Sequence, residues 1–327
     1  MDIIVSKKTE LMGIMLLISD YKEKYPFLVE EMNNKEYRNE ILNTFSKFKN
    51  TKTIKLLNKI INTLCFNYDA PIYLIEQVND DLSYDNLPSY PFKERLESSN
   101  LVIDFLNSLK EFSTLIKFDD FYNKHLNYYN EGITQINNLV KDYKIVKFLK
   151  DFYKMDFKNI NFIINLMFFA THGNYGINVN NDFICNQCLR ESENNKINFI
   201  DSVDNTLTLY VHEFSHSVVN PLTRKYSTIT MDFFNDIKDK MIKQAYNLPE
   251  TIIDEHIVRG IELIFLKYSF KDSSSNYVLK WKKEYEEIGF IYINEIFNKL
   301  DYYYTNKQMY KDFEEFFPEL LTTFKSY

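Results

Sequence analysis

A chain of 327 residues with 45% hydrophobic content can bury a sizeable core, which argues against a disordered protein and fits one large domain or two to three subdomains. The formal charge is −7, and no run of Lys or Arg is free of interleaved acids or apolar residues, so nucleic acid is not expected as a partner. Only 6 Gly and 7 Pro stand against 25 Tyr and 28 Phe, a balance that favours long helices.

In chain order, Met1 to Leu17 carries Asp2, Lys7, Lys8 and Glu10 ahead of its apolar stretch. That is not the order of a signal peptide, and the segment reads as the start of a folded helix. From Thr9 to about Met155 apolar residues recur at three- and four-residue spacing, as in Leu56, Leu57, Ile60, Ile61 and Leu64, which predicts a helical lobe over 1–155. Breaks are expected at Pro26, Pro71, Pro88 and Pro91. The stretches Asn161–Phe169, Tyr175–Val179, Asp182–Cys185 and Lys196–Ile200 are short, β-favouring and separated by turn residues, predicting a small sheet. The run Ile160–Ala170 is about half of what a bilayer crossing needs and is broken by Asn161 and Asn165, so no membrane span is expected. The sheet and the helix after it form the expected segment 156–222, and the helical period persists through a C-terminal lobe at 223–327, with breaks near Pro221, Pro249 and Asp272 to Asn276. Three cysteines cannot complete a disulfide framework, which fits a reducing compartment, with the cytoplasm as the expected location.

Val211-His212-Glu213-Phe214-Ser215-His216 contains HExxH. Two histidines four apart project from one face of a helix and can hold one Zn²⁺, with the glutamate between them as general base. At about 100° per residue, Leu207, Tyr210, Val211, Phe214 and Val218 form an apolar arc, and His212, Glu213, His216 and Asn220 fall opposite. Asp204 or Asn205 sits where an N-cap is wanted, and Pro221 where the helix should soon end. A catalytic zinc needs a third ligand. On the segment Thr251–Glu262, Glu255, Arg259 and Glu262 share one stripe opposite Ile253, Ile257 and Ile261. That stripe is equally readable as a solvated, salt-bridged face, and Asp254 and His256 are rival ligands about a quarter turn or more away. Arg259, one turn beyond Glu255, fits a supporting role on that carboxylate. For the oxyanion a tyrosine or histidine is wanted; Tyr303 leads, followed by Tyr175 and His172. Gly173–Val179 looks like an edge strand able to pair with an extended peptide. Cys185-Asn186-Gln187-Cys188 has no second CxxC and is expected to be packing.

Several pieces together resemble the family of bacterial proteins known as domain of unknown function 4932: Thr9-Glu10-Leu11-Met12, Tyr68-Asp69-Ala70, Gly173-Asn174-Tyr175-Gly176, His212 to Ser217 running into Val219-Asn220-Pro221-Leu222, Glu255 with Val258-Arg259, and Tyr303 with Asn306. The resemblance implies a mostly helical α+β fold with a zincin-like, gluzincin-type core. It implies Glu255 as third zinc ligand, from a Glu-x-x-Val-Arg pattern, and brings Tyr303 and Asn306 forward as cleft residues. Gly260 departs from the pattern, standing where alanine is usual. The function expected is zinc-dependent hydrolysis of an extended peptide or protein substrate. A binding protein that keeps the metal without turnover, and a zinc hydrolase of another substrate class, are the alternatives.

Overall fold

The computed structural model describes residues 1–26, 35–86, 100–169, 173–190, 197–226, 234–244, 246–270 and 274–324. The expected breaks at Pro88, Pro91 and Asp272, and the candidate His172, lie outside them. The fold is α+β, mostly helical, with one small mixed sheet.

The chain divides into two interleaved units, one of residues 1–139 and 163–201, the other of residues 140–162 and 202–327. This differs from the consecutive lobes expected at 1–155, 156–222 and 223–327. The HExxH helix groups with the C-terminal helices instead of with the sheet, its most extensive packing being on the helix Pro249–Ser269.

The first unit contains β1 (Asp2–Ile4), α1 (Lys7–Leu17), α2 (Tyr21–Lys24), α3 (Lys35–Phe45), α4 (Lys52–Thr63), α5 (Ala70–Glu76), α6 (Asn100–Leu115), α7 (Phe118–Lys124) and α8 (Leu126–Val140). To these it adds β2 (Asn161–Met167), β3 (Tyr175–Val179) and β4 (Asp182–Cys188), in the sheet order β1-β2-β4-β3. Met1 to Leu17 is therefore not helical throughout: Asp2–Ile4 pairs in parallel with Ile163–Asn165, and α1 starts only after Ser6, whose hydroxyl accepts from the Thr9 N–H at 3.3 Å. The hairpin β3–β4 turns at Asn180, with φ +56°, a conformation that asparagine tolerates. Residues 197–200 are not a strand. Their backbone groups are taken by side chains, Gln135 Oε1 accepting from Phe199 N and Gln187 Nε2 donating to Phe199 O, each at 2.7 Å. Cys185 and Cys188 are buried on β4, three apart and so on opposite faces, where they cannot converge on one metal.

The Glu10 carboxyl of this unit is fully buried. Glu10 of α1 accepts from the Phe168 N–H at 2.8 Å and the Tyr37 hydroxyl at 2.8 Å, and Tyr37 meets the Tyr129 hydroxyl at 2.5 Å. Burial pushes Glu10 up to about 7, against those hydrogen bonds.

The second unit contains α9 (Ile145–Tyr153), α10 (Val203–Tyr226), α11 (Phe234–Ile242), α12 (Pro249–Ser269), α13 (Ser274–Glu287), α14 (Ile293–Thr305) and α15 (Phe313–Leu321). α10 packs on α12, and α12 on α13 and α14. Gly260 lets α12 approach α14: a Cβ there would lie 2.6 Å from Ile296 and Leu300 side-chain atoms. α10 begins two residues before the expected cap, with Ser202 Oγ accepting from the Asn205 N–H at 3.3 Å. Pro221 does not end it. A proline removes one backbone donor, and burial of Leu222 and Thr223 in the next turn carries the helix to Tyr226.

Candidate metal centre

On α10 the expected apolar arc, Leu207, Tyr210, Val211, Phe214 and Val218, is buried, while His212, His216 and Asn220 lie half-buried on the other side. α12 is buried nearly all round, including Glu255 at 7% and Glu262 at 3% exposure. This removes the reading of Glu255, Arg259 and Glu262 as a solvated stripe.

The two helices bring three donors together. His212 Nε2 and His216 Nε2 are 3.0 Å apart, His212 Nε2 is 3.7 Å from one Glu255 oxygen, and His216 Nε2 is 3.5 Å from the other. Ligands about 2.0–2.1 Å from a tetrahedral metal stand about 3.3–3.4 Å from one another, and the 3.0–3.7 Å separations here are of that order, each histidine meeting a different Glu255 oxygen. Glu213 also approaches, its carboxylate lying within 4.8 Å of both histidines. Both carboxylates thus stand within reach of the histidine pair, Glu255 being held in turn by Arg259 at 2.7 Å.

The outer nitrogens are anchored. His212 Nδ1 faces Glu262 Oε1 at 2.5 Å, and His216 Nδ1 faces Asn220 Oδ1 at 3.0 Å. Arg259 Nη1 also comes within 3.3 Å of His212 Nδ1; when Glu262 is ionised, its 2.5 Å contact places the proton of the neutral ring on Nδ1. With both protons on Nδ1, two imidazole lone pairs and a carboxylate face one point. A cation, a proton or the O–H of a water satisfies such a set, and metal and proton compete for it.

Burial drives His212 well below its ordinary value, as suits a neutral ligand, although the Glu255 charge opposes it. Burial also works against ionised Glu255; Arg259, at 2.7 Å, then both histidines and Tyr246 outweigh it and hold that carboxyl below the usual range. Burial pushes Glu262 up to about 8, against Arg259 and the Tyr285 hydroxyl that donates to it. Arg259 is stacked 4.4 Å from the Phe290 ring centre and 5.3 Å from that of Tyr285.

The rival ligands turn away. His256 Nδ1 bonds the Ile252 carbonyl at 2.8 Å, with its ring among Phe290, Tyr292 and Phe324, and burial pushes it down to about 3. Asp254 is buried, and burial pushes its carboxyl up to about 7.

Two expected cleft residues have other tasks. Tyr303 is fully buried, its hydroxyl donating to the Phe152 carbonyl at 2.8 Å among Phe152, Phe313, Phe316 and Tyr310. Asn306 caps α14, its amide donating to the Tyr302 carbonyl at 2.9 Å. Tyr175 belongs to β3 of the first unit, where its carbonyl accepts from Asn186. Two residues that the sequence does not single out join the trio instead. Glu262 was legible only as a stripe neighbour of Glu255. Tyr246, just before α12, lies 3.4 Å from Arg259 Nη2; burial raises its phenol above the ordinary value, so it stays protonated.

The family model described as domain of unknown function (DUF4932) matches residues 1–323. The chain belongs to the DUF4932 family. No curated protein and no solved structure matches it. Nearly the whole chain is thus a DUF4932 domain, both units included. Among the described residues no helix is long and apolar enough to cross a membrane.

Proposed function

We propose that this chain is a zinc-dependent metallopeptidase with a zincin-like core and gluzincin-type ligation by His212, His216 and Glu255. The observation that carries the reading is the convergence of those three donors at 3.0–3.7 Å, with both Nδ1 atoms anchored outward on Glu262 and Asn220. Two imidazoles and a carboxylate suit Zn²⁺, and three protein ligands leave a position for water.

Bound zinc supplies a Lewis acid that lowers the pKa of a coordinated water towards about 7. The chain's residues do the rest. Glu213, next to the trio, takes the proton of the attacking water and delivers it to the leaving nitrogen. Arg259 fixes Glu255 through the 2.7 Å pair. An HExxH helix with the glutamate as base is the arrangement by which metallopeptidases cleave peptide bonds, and an extended peptide or protein is the substrate class we assign.

Elemental analysis of the purified protein tests this. We expect about one zinc per chain, lost or sharply weakened in His216→Ala and Glu255→Ala, and peptide cleavage that Glu213→Gln abolishes while retaining the metal. A wild-type protein that takes up no zinc on addition overturns the reading. Zinc binding without cleavage of any member of a peptide library leaves a metal-holding binding protein in its place.

A further inference from the structure

Resting on the metallopeptidase reading, we infer that Tyr246, and not Tyr303, is the hydrogen-bond donor that receives the negative charge of the tetrahedral intermediate. Hydrolysis needs such a donor: as water adds to the carbonyl carbon, the C=O π pair moves onto oxygen, and the water's proton goes to Glu213. When the C–N bond breaks, the pair returns to the carbonyl and the nitrogen takes up the proton. A donor beside the metal ligands stabilises the charged stage selectively.

Three observations single out Tyr246. Its hydroxyl lies 3.4 Å from Arg259 Nη2, and Arg259 Nη1 holds a Glu255 oxygen at 2.7 Å, so the phenol stands beside a proposed ligand. It is half-buried and keeps a solvent-facing side, whereas Tyr285, the phenol on Glu262, is buried behind the histidine. It stands on the non-helical stretch before α12, so small torsional changes re-aim it without moving a helix. Arg259 Nη2, 3.4 Å from the phenol oxygen, contributes positive charge on the same side. Glu213 is also close enough to act on the phenol electrostatically, which puts base and donor around one reacting carbonyl.

The test uses full-length protein loaded with Co²⁺, whose visible bands report the ligand set, and acetohydroxamate as an oxygen-donor probe for the open position. Wild type, Tyr246→Phe and Tyr303→Phe are titrated first with cobalt and then with the probe. We expect Tyr246→Phe, saturated with cobalt, to bind acetohydroxamate about tenfold more weakly, the effect of one lost hydrogen bond and a larger loss than any fall in its cobalt affinity. Tyr303→Phe should match wild type in both titrations. Unchanged probe affinity in Tyr246→Phe overturns the assignment, as does an equal fall in cobalt affinity, which would make the phenol only a support for Glu255. Wild-type protein that binds no cobalt overturns the metal site itself, an outcome distinct from the other two.

Discussion

Glu262 faces the Nδ1 side of His212 at 2.5 Å and so decides which nitrogen of that ring is left for a metal. A carboxylate behind a ligating histidine fixes its tautomer and orientation, and losing such a partner costs about 10- to 100-fold in metal affinity. Glu262→Gln should therefore raise the zinc Kd by about that factor, measured by competition with a chelator; an unchanged Kd would mean that the anchor contributes nothing. The proposed histidine ligands were legible from the sequence because HExxH is a local pattern, whereas Glu255 stood level with a solvated stripe until the family resemblance brought it forward. The partners were not legible. Glu262 lies 50 positions from His212, and only the packing of two helices joins them. Tyr246 is one of 25 tyrosines, on a stretch with no periodicity to read. Tyr303 came forward from the resemblance, whereas its own hydroxyl is satisfied by a buried carbonyl.

Among the elements, periodicity predicted the helices and the hairpin well, since one buried face leaves a clear trace. It missed β1, three residues whose strand character exists only through pairing with β2. It also missed the continuation of α10 past Pro221, because tertiary burial overrides a local breaker. The junction of α1 with the end of β2 depends on Glu10, whose carboxyl ties the helix to the Phe168 N–H. Its folded pKa of about 7 lies above the ordinary 4.5, so the folded state binds the extra proton between those values. Stability from this group is therefore full below about pH 4.5 and is lost as pH rises through 7, by at most about 3 kcal/mol. Urea unfolding of Glu10→Gln beside wild type should show the variant gaining relative stability from pH 5 to pH 8. A pH-independent difference would remove Glu10 as the cause.

At the scale of the molecule, all the residues assigned to the metal centre belong to the second unit, from His212 on α10 to Arg259 and Glu262 on α12. A ligand stabilises the state it binds, by about 4 kcal/mol at a thousand times its Kd. Zinc should accordingly slow amide hydrogen exchange in α10 and α12 and leave α3, α7 and α8 of the first unit unchanged. Equal protection of both units would show that they open together.

The parallel pairing of Asp2–Ile4 with Ile163–Asn165 also bears on how the protein is born. The first strand leaves the ribosome about 160 residues ahead of the strand that must receive it. At roughly 5–20 residues per second this is a wait on the order of ten seconds or more. During that interval α1, with Leu11, Met12, Ile14, Met15 and Leu16, has no sheet to cover it, which makes the nascent N-terminal segment a natural client for a chaperone.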